Sequence, residues 1–141
     1  MATYNKFQDF SEQLCLALHE CNAHVFKVYL TNVAPVATNT VFGTPAEFAG
    51  GTGYTAGGED AQNTLAEASG TATCTCTKIV WTAGAADWAA FRYPVIYNDT
   101  NVSNALIAWW DYGSSLTLGN GETFTLKFNG GATTGTLFTL A

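Results

Sequence analysis

Thr123-Phe124-Thr125-Leu126-Lys127-Phe128 alternates strictly between polar and apolar residues. That period of two places Phe124, Leu126 and Phe128 on one face of a strand and Thr123, Thr125 and Lys127 on the other, one face core and one wet. Gly119-Asn120-Gly121 lies just before it and Leu116-Thr117-Leu118 before that, the pattern of a hairpin joining 116–118 to 122–128. Similar apolar runs recur toward both ends at intervals near ten residues, separated by Ser69-Gly70 and Asn98-Asp99. Such spacing belongs to an antiparallel sandwich or barrel rather than to β-α-β units. It predicts strands over 24–30, 63–68, 71–76, 78–82, 91–97, 105–111, 123–128 and 136–140. In the first of these, Phe26, Val28 and Leu30 form the expected core face. Ala105-Leu106-Ile107-Ala108-Trp109-Trp110 is apolar on both faces, so it reads as a central strand or as one whose outer face meets a partner. The adjacent tryptophans must point in opposite directions.

Two segments break the pattern. Phe7, Phe10, Leu14, Ala17 and Leu18 recur at spacings of three and four, predicting one amphipathic helix over about 4–19, with Thr3 as its N-cap and Asn22 as its stop. From about 31 to 60 the chain is rich in Gly, Thr and Ala and ends in Gly50-Gly51-Thr52-Gly53-Tyr54-Thr55-Ala56-Gly57-Gly58. A compact domain rarely keeps thirty structureless residues, so this reads either as an arm ordered by a partner or as a long loop with a short strand near Val41.

The 141 residues form one domain, 48% hydrophobic and 13% aromatic but only 11% charged, against about 25% charged in an ordinary soluble domain. Disorder is excluded, and so weakly charged a surface is suited to packing against something. Five basic residues against eleven acidic ones give a net charge of −6. With no basic stripe, nucleic acid is not an expected partner. No apolar run approaches the roughly 20 residues of a membrane span, so no membrane is expected either. Met1-Ala2-Thr3-Tyr4-Asn5-Lys6 lacks the form of a secretory signal, which predicts synthesis in a cytosol and free thiols at Cys15, Cys21, Cys74 and Cys76.

Chemistry-bearing patterns are few. Cys15 and His19 would share a helix face, yet no CxxC or HExxH spacing accompanies them, and a packed thiol with a solvated helix-end histidine is the better reading than zinc. Cys74 and Cys76 share a strand face as small core residues. Gly113-Ser114-Ser115-Leu116 lacks the second glycine of a nucleophile elbow. Gly51-Thr52-Gly53 lacks the strand and helix of a dinucleotide fingerprint, and the Asn98 and Asn101 sequons read as a turn. Asp111 beside Trp109, Trp110 and Tyr112 has the composition of a sugar site. Strand alternation splits that cluster, with Trp109 and Asp111 on one face and Trp110 and Tyr112 on the other. No catalytic residue, metal or cofactor is expected.

Four segments taken together carry a resemblance: Thr3-Tyr4-Asn5-Lys6-Phe7, Gly53-Tyr54-Thr55-Ala56-Gly57-Gly58, Phe91-Arg92-Tyr93-Pro94-Val95-Ile96-Tyr97-Asn98-Asp99-Thr100, and Trp109-Trp110-Asp111-Tyr112-Gly113-Ser114-Ser115-Leu116-Thr117-Leu118. In this order they resemble small virion proteins of tailed bacteriophages, most closely the capsid cement or decoration proteins of short-tailed phages such as those of Bordetella. The resemblance implies a jelly-roll-like antiparallel β-sandwich, made in the host cytoplasm and carried on the outer surface of an icosahedral head. There it would bridge major capsid proteins and pair with itself, as a dimer. It brings no catalytic motif and no contact motif. The N-terminal helix, the arm and the outward-facing tryptophan supply the candidate capsid or self contacts, namely Tyr4, Phe7, Phe42, Phe48, Tyr54, Trp109 and Trp110. A tail or head-fibre component, or a carbohydrate-binding sandwich for host attachment, is the alternative.

Overall fold

The computed structural model describes residues 2–141. Along the chain it forms β1 (Thr3–Lys6), α1 (Asp9–Cys15), β2 (Phe26–Thr31), β3 (Glu59–Asp60), β4 (Thr64–Ala68), β5 (Thr71–Thr77), β6 (Ile79–Thr82), β7 (Tyr93–Asn98), β8 (Leu106–Asp111), β9 (Thr123–Leu126) and β10 (Thr134–Leu140). The protein is mainly β, and every strand pairing is antiparallel. One layer is a five-stranded sheet in the order β1-β8-β7-β2-β3. The facing layer consists of the sheet β10-β5-β4 and the two-stranded ribbon β6-β9, joined where β5 passes into β6 across Lys78.

Between the layers lies the main core. Phe26, Val28, Leu30 and Trp110 come from the five-stranded sheet, and Cys74, Cys76, Ile79, Trp81, Phe124 and Leu126 from the other layer. The alternation in 123–128 holds as expected, with Phe124, Leu126 and Phe128 buried and Thr123, Thr125 and Lys127 exposed. Its partner does not. β9 pairs with β6, in register from Ile79↔Leu126 to Thr82↔Thr123, which lays Trp81 against Phe124 at 5.8 Å. The turn at Gly119 is present, closed by the Glu122 carboxylate on the Gly119 N–H at 2.6 Å, but Leu116 and Leu118 bond to Phe91 and Trp88 instead. A local turn signal cannot see that a distant strand offers a larger aromatic contact.

The predicted helix over 4–19 is mostly not helix. Residues 3–6 form β1 and pair with β8 from Thr3↔Asp111 to Lys6↔Ala108. The helix spans only seven residues, starts at Gln8 without a side-chain cap, and is followed by Ala17 in the left-handed region at φ +58°. Thr3 therefore caps nothing, and Asn22 accepts a bond from Leu65 N–H rather than ending a helix. The apparent stripe combines two destinations: Phe10 enters the main core, while Phe7 joins a second cluster on the opposite face of the five-stranded sheet. His19, expected to be solvated at a helix end, lies beyond the helix and is buried.

That second cluster, which includes Tyr29, Val95, Tyr97, Leu106 and Trp109, explains why 105–110 is apolar on both faces. A bulge at Ile107, where Ile96 pairs with Ala108 and Tyr97 with Leu106, brings Leu106 and Trp109 to the same side. What covers this side is the segment 32–58. Phe42 stacks on Tyr97 at 4.6 Å, Tyr29 donates its hydroxyl to Pro45 O at 3.0 Å, and Tyr97 donates to Gly57 O at 2.8 Å. Val41 forms an isolated bridge with Ala105, and no strand forms there. Glu47 organises the far end, its carboxylate accepting from the Tyr54 hydroxyl at 2.5 Å and from Gly57 N–H at 2.9 Å. The segment is thus an intramolecular cover, long because it crosses a whole sheet face.

Candidate interaction groove

The two layers do not close on each other everywhere. β1 ends the five-stranded sheet, and β9 and β10 are edges of the facing layer. Between them runs a groove of about 830 Å³. Its floor is Trp110, Phe128 and Leu137; its rim is Tyr4, Tyr112, Thr125 and Asn129. Register builds the aromatic end. Tyr4 sits opposite Trp110 across the β1–β8 ladder, with ring centroids 5.6 Å apart, and Phe128 meets the other side of Trp110 at 5.4 Å. Tyr112 shares the Trp110 face, as alternation requires, and lies 6.0 Å from Phe124. Gly135 permits the floor to close, because a Cβ there would stand 2.2 Å from Phe128 O.

The lining holds no carboxylate, imidazole or thiol, and Lys127 is its one charged side chain. It offers indole, phenol, hydroxyl and amide groups beside unpaired strand edges. Tyr4 is 41% exposed and Tyr112 45% exposed, whereas Trp110 is 7% exposed and contributes packing rather than a free ring face. Partial burial pushes the Tyr4 hydroxyl up to about 12, so it remains a neutral donor. This arrangement suits extended, weakly charged chain or a flat polar ligand rather than acid–base chemistry.

Of the seven aromatic candidates, Tyr4 and Trp110 reach the groove. Phe7, Phe42 and Trp109 belong to the covered face of the five-stranded sheet. Phe48 and Tyr54 meet Trp88 and Phe91 under the end of the cover, with Phe48 4.6 Å from Tyr54 and 5.6 Å from Phe91. Neither tryptophan of the 109–110 pair faces outward. The β9 and β10 residues of the lining were missed because exposed threonines on a strand carry no signal of which gap they face.

Near the groove, Asp111 does form the expected turn, accepting from Gly113 N–H at 2.8 Å. It also receives both prongs of Arg92, at 2.7 and 3.0 Å, a pairing that spacing alone could not reveal. The guanidinium holds the Asp111 carboxyl below its ordinary range. The pair is a third exposed, so solvent screens it and it adds little to stability. Asn98 and Asn101 shape a turn as read, Asn98 accepting from the N–H groups of both Thr100 and Asn101 at 3.1 Å. All four cysteines are unpaired, three of them buried. A hydrogen bond to Cys74, with burial, pushes the Cys21 thiol far up, which keeps it protonated and unreactive.

Comparison with protein-family models, with curated proteins and with solved structures found no match.

Proposed function

We propose that this chain is a non-enzymatic capsid decoration protein, a jelly-roll-like sandwich that binds the outside of a bacteriophage head and bridges major capsid proteins. The observation that carries the reading is the groove: aromatic and threonine-rich, nearly uncharged, and flanked by the free edge of β1. An extended capsid segment laid there would gain main-chain hydrogen bonds from the strand edge and apolar contact from Trp110 and Phe128. The four-segment resemblance supports the same assignment, as does a surface with few charges to desolvate. Each contact adds modestly, and reinforcement of the shell comes from many copies acting across many seams. Pairing of the protein with itself beside capsid two-folds is part of the proposal.

Quantitative mass spectrometry of purified virions tests it directly. A copy number near that of the major capsid protein is expected; a handful of copies moves the protein to a tail or head fibre, and absence from the particle ends the virion reading. The groove itself is tested by Thr125→Arg, an exposed position on its rim. Stability should stay within about 0.5 kcal/mol, as for surface changes generally, while occupancy on heads lacking the wild-type protein falls at least tenfold. Full occupancy by this variant would move the contact elsewhere. A carbohydrate-binding role competes, favoured by the exposed rings of Tyr4 and Tyr112 beside Asn129. Retention on host polysaccharide that is lost in Tyr112→Ala would establish it in place of decoration.

A further inference from the structure

At the end of the sandwich opposite in character to the groove, two imidazoles point at one amide. Asn98, fully buried at the end of β7, has its Nδ2 3.2 Å from His19 Nδ1 and 2.9 Å from His24 Nδ1. The orientation of that amide is set by its other end, since Oδ1 already accepts from Thr100 and Asn101 N–H. Asn98 Nδ2 is therefore a donor whose two hydrogens are shared among His19 Nδ1, His24 Nδ1 and Leu18 O, an arrangement that fits the imidazole tautomer with no hydrogen on Nδ1. Leu18 O accepts from the same nitrogen at 3.2 Å and from Asn101 Nδ2 at 2.8 Å, which pins the start of the turn 18–24, while Asn63 Nδ2 holds its other end through Cys21 O at 2.6 Å and His24 O at 2.9 Å.

His19 is 4% exposed, enclosed by Phe10 at 5.2 Å and Phe26 at 6.1 Å, and its Nε2 has no partner. We propose that the convergence of His19 and His24 on Asn98 is an acid-released latch that holds the segment from α1 to Val25 against the end of the sandwich. Protonation of His19 places a hydrogen on its Nδ1, facing the amide N–H hydrogens, and Asn98 cannot turn over without abandoning Thr100 and Asn101. A charged His19 would also stand buried against two phenylalanines.

The surrounding charges do not rescue the cation. Burial holds His19 down to about 4, the neighbouring His24 acts in the same direction, and only Asp9, on α1, opposes them. Glu20 reaches His24 Nε2 at 3.8 Å from a largely exposed position. Asp99, next to the latch, is engaged by Lys27 at 2.8 Å, and the Cys21 thiol is held neutral. Because the folded value lies below the ordinary 6.5, the latched state binds fewer protons than the open one. Its stability is complete above about pH 6.5 and falls as pH drops toward 4.

The latch does not depend on the capsid assignment. Amide hydrogen exchange of the full chain, corrected for the intrinsic pH dependence, should show opening of 16–25 rising about 50-fold between pH 7 and 4.5 while β2, β5 and β7 stay protected. The double variant His19→Asn/His24→Asn, which keeps an acceptor near each Nδ1 position but cannot titrate, should flatten that response. Unchanged protection of 16–25 in the wild type, loss of the strands together with it, or an equal response in a folded double variant would each overturn the latch. Should the double variant not fold, NMR titration of the wild-type imidazoles decides: His19 must titrate well below 6.5, and a value at or above 6.5 refutes the proposal.

Discussion

Gly58→Ala is expected to cost the folded state about 3–5 kcal/mol, combining left-handed backbone strain with forced displacement of a packed strand. Gly58 has φ +85°, and a Cβ there would stand 2.0 Å from Val28 O and 2.8 Å from Tyr29 N. Those atoms belong to β2, an inner strand bonded on both sides by β7 and β3, so the backbone cannot retreat. Gly113 provides the control. Its φ is +98°, but nothing lies within 4 Å of its Cβ position, and Gly113→Ala should cost about 1 kcal/mol from conformation alone. Urea denaturation of the isolated protein separates the two. The result bears on more than one glycine, since Gly58 is where the cover 32–58 re-enters the sheet. A loss below about 1 kcal/mol for Gly58→Ala would mean that the segment is an arm loosely attached until a partner arrives.

Trp81→Ala is expected to lose a similar amount, about 3–5 kcal/mol, by opening a cavity at the centre of the main core. Trp81 is 1% exposed and lies against Phe124. Its indole Nε1 has no hydrogen-bond partner, so the N–H contributes no bond that a substitution would forfeit. Trp81→Phe should accordingly recover more than half of the loss in the same urea titration, because most of the ring volume returns and an unsatisfied donor disappears. If the phenylalanine variant is as weak as the alanine variant, the indole nitrogen is bonded after all and the core is arranged differently at β6.

The strand content and the facing of most side chains could be read from the chain, because a period of two is a local property. Phe26, Val28 and Leu30 point into the main core and Trp109 and Trp110 point apart, as alternation demands. Pairing was not readable in the same way. Leu116–Leu118 looked like the partner of 123–128, yet Trp81, forty residues earlier by rough count, makes the better contact, and only the fold reveals it. The N-terminus failed for a related reason: Phe7 and Phe10 have helical spacing, but the open edge of β8 offers residues 3–6 a ladder of hydrogen bonds that a lone helical turn cannot match. Aromatic content likewise marked seven residues without telling which would be covered. Phe42, Phe48 and Tyr54 have their partners far away in sequence: Phe42 covers a face assembled from β2, β7 and β8, and Phe48 and Tyr54 pack with Trp88.

The pairing of β1 with β8 also governs when the protein can finish folding. Thr3 leaves the ribosome well before Asp111 and must wait for it before its ladder can form. Closing so long a loop is paid in chain entropy ahead of any contact, which makes the step slow and late. Until then β8 has no neighbour beyond β7, and nascent chains translated side by side expose the same vacant position to one another. Synthesis rate and temperature, more than final stability, should therefore set the yield of soluble protein, with the amino-terminal strand as the last piece to settle.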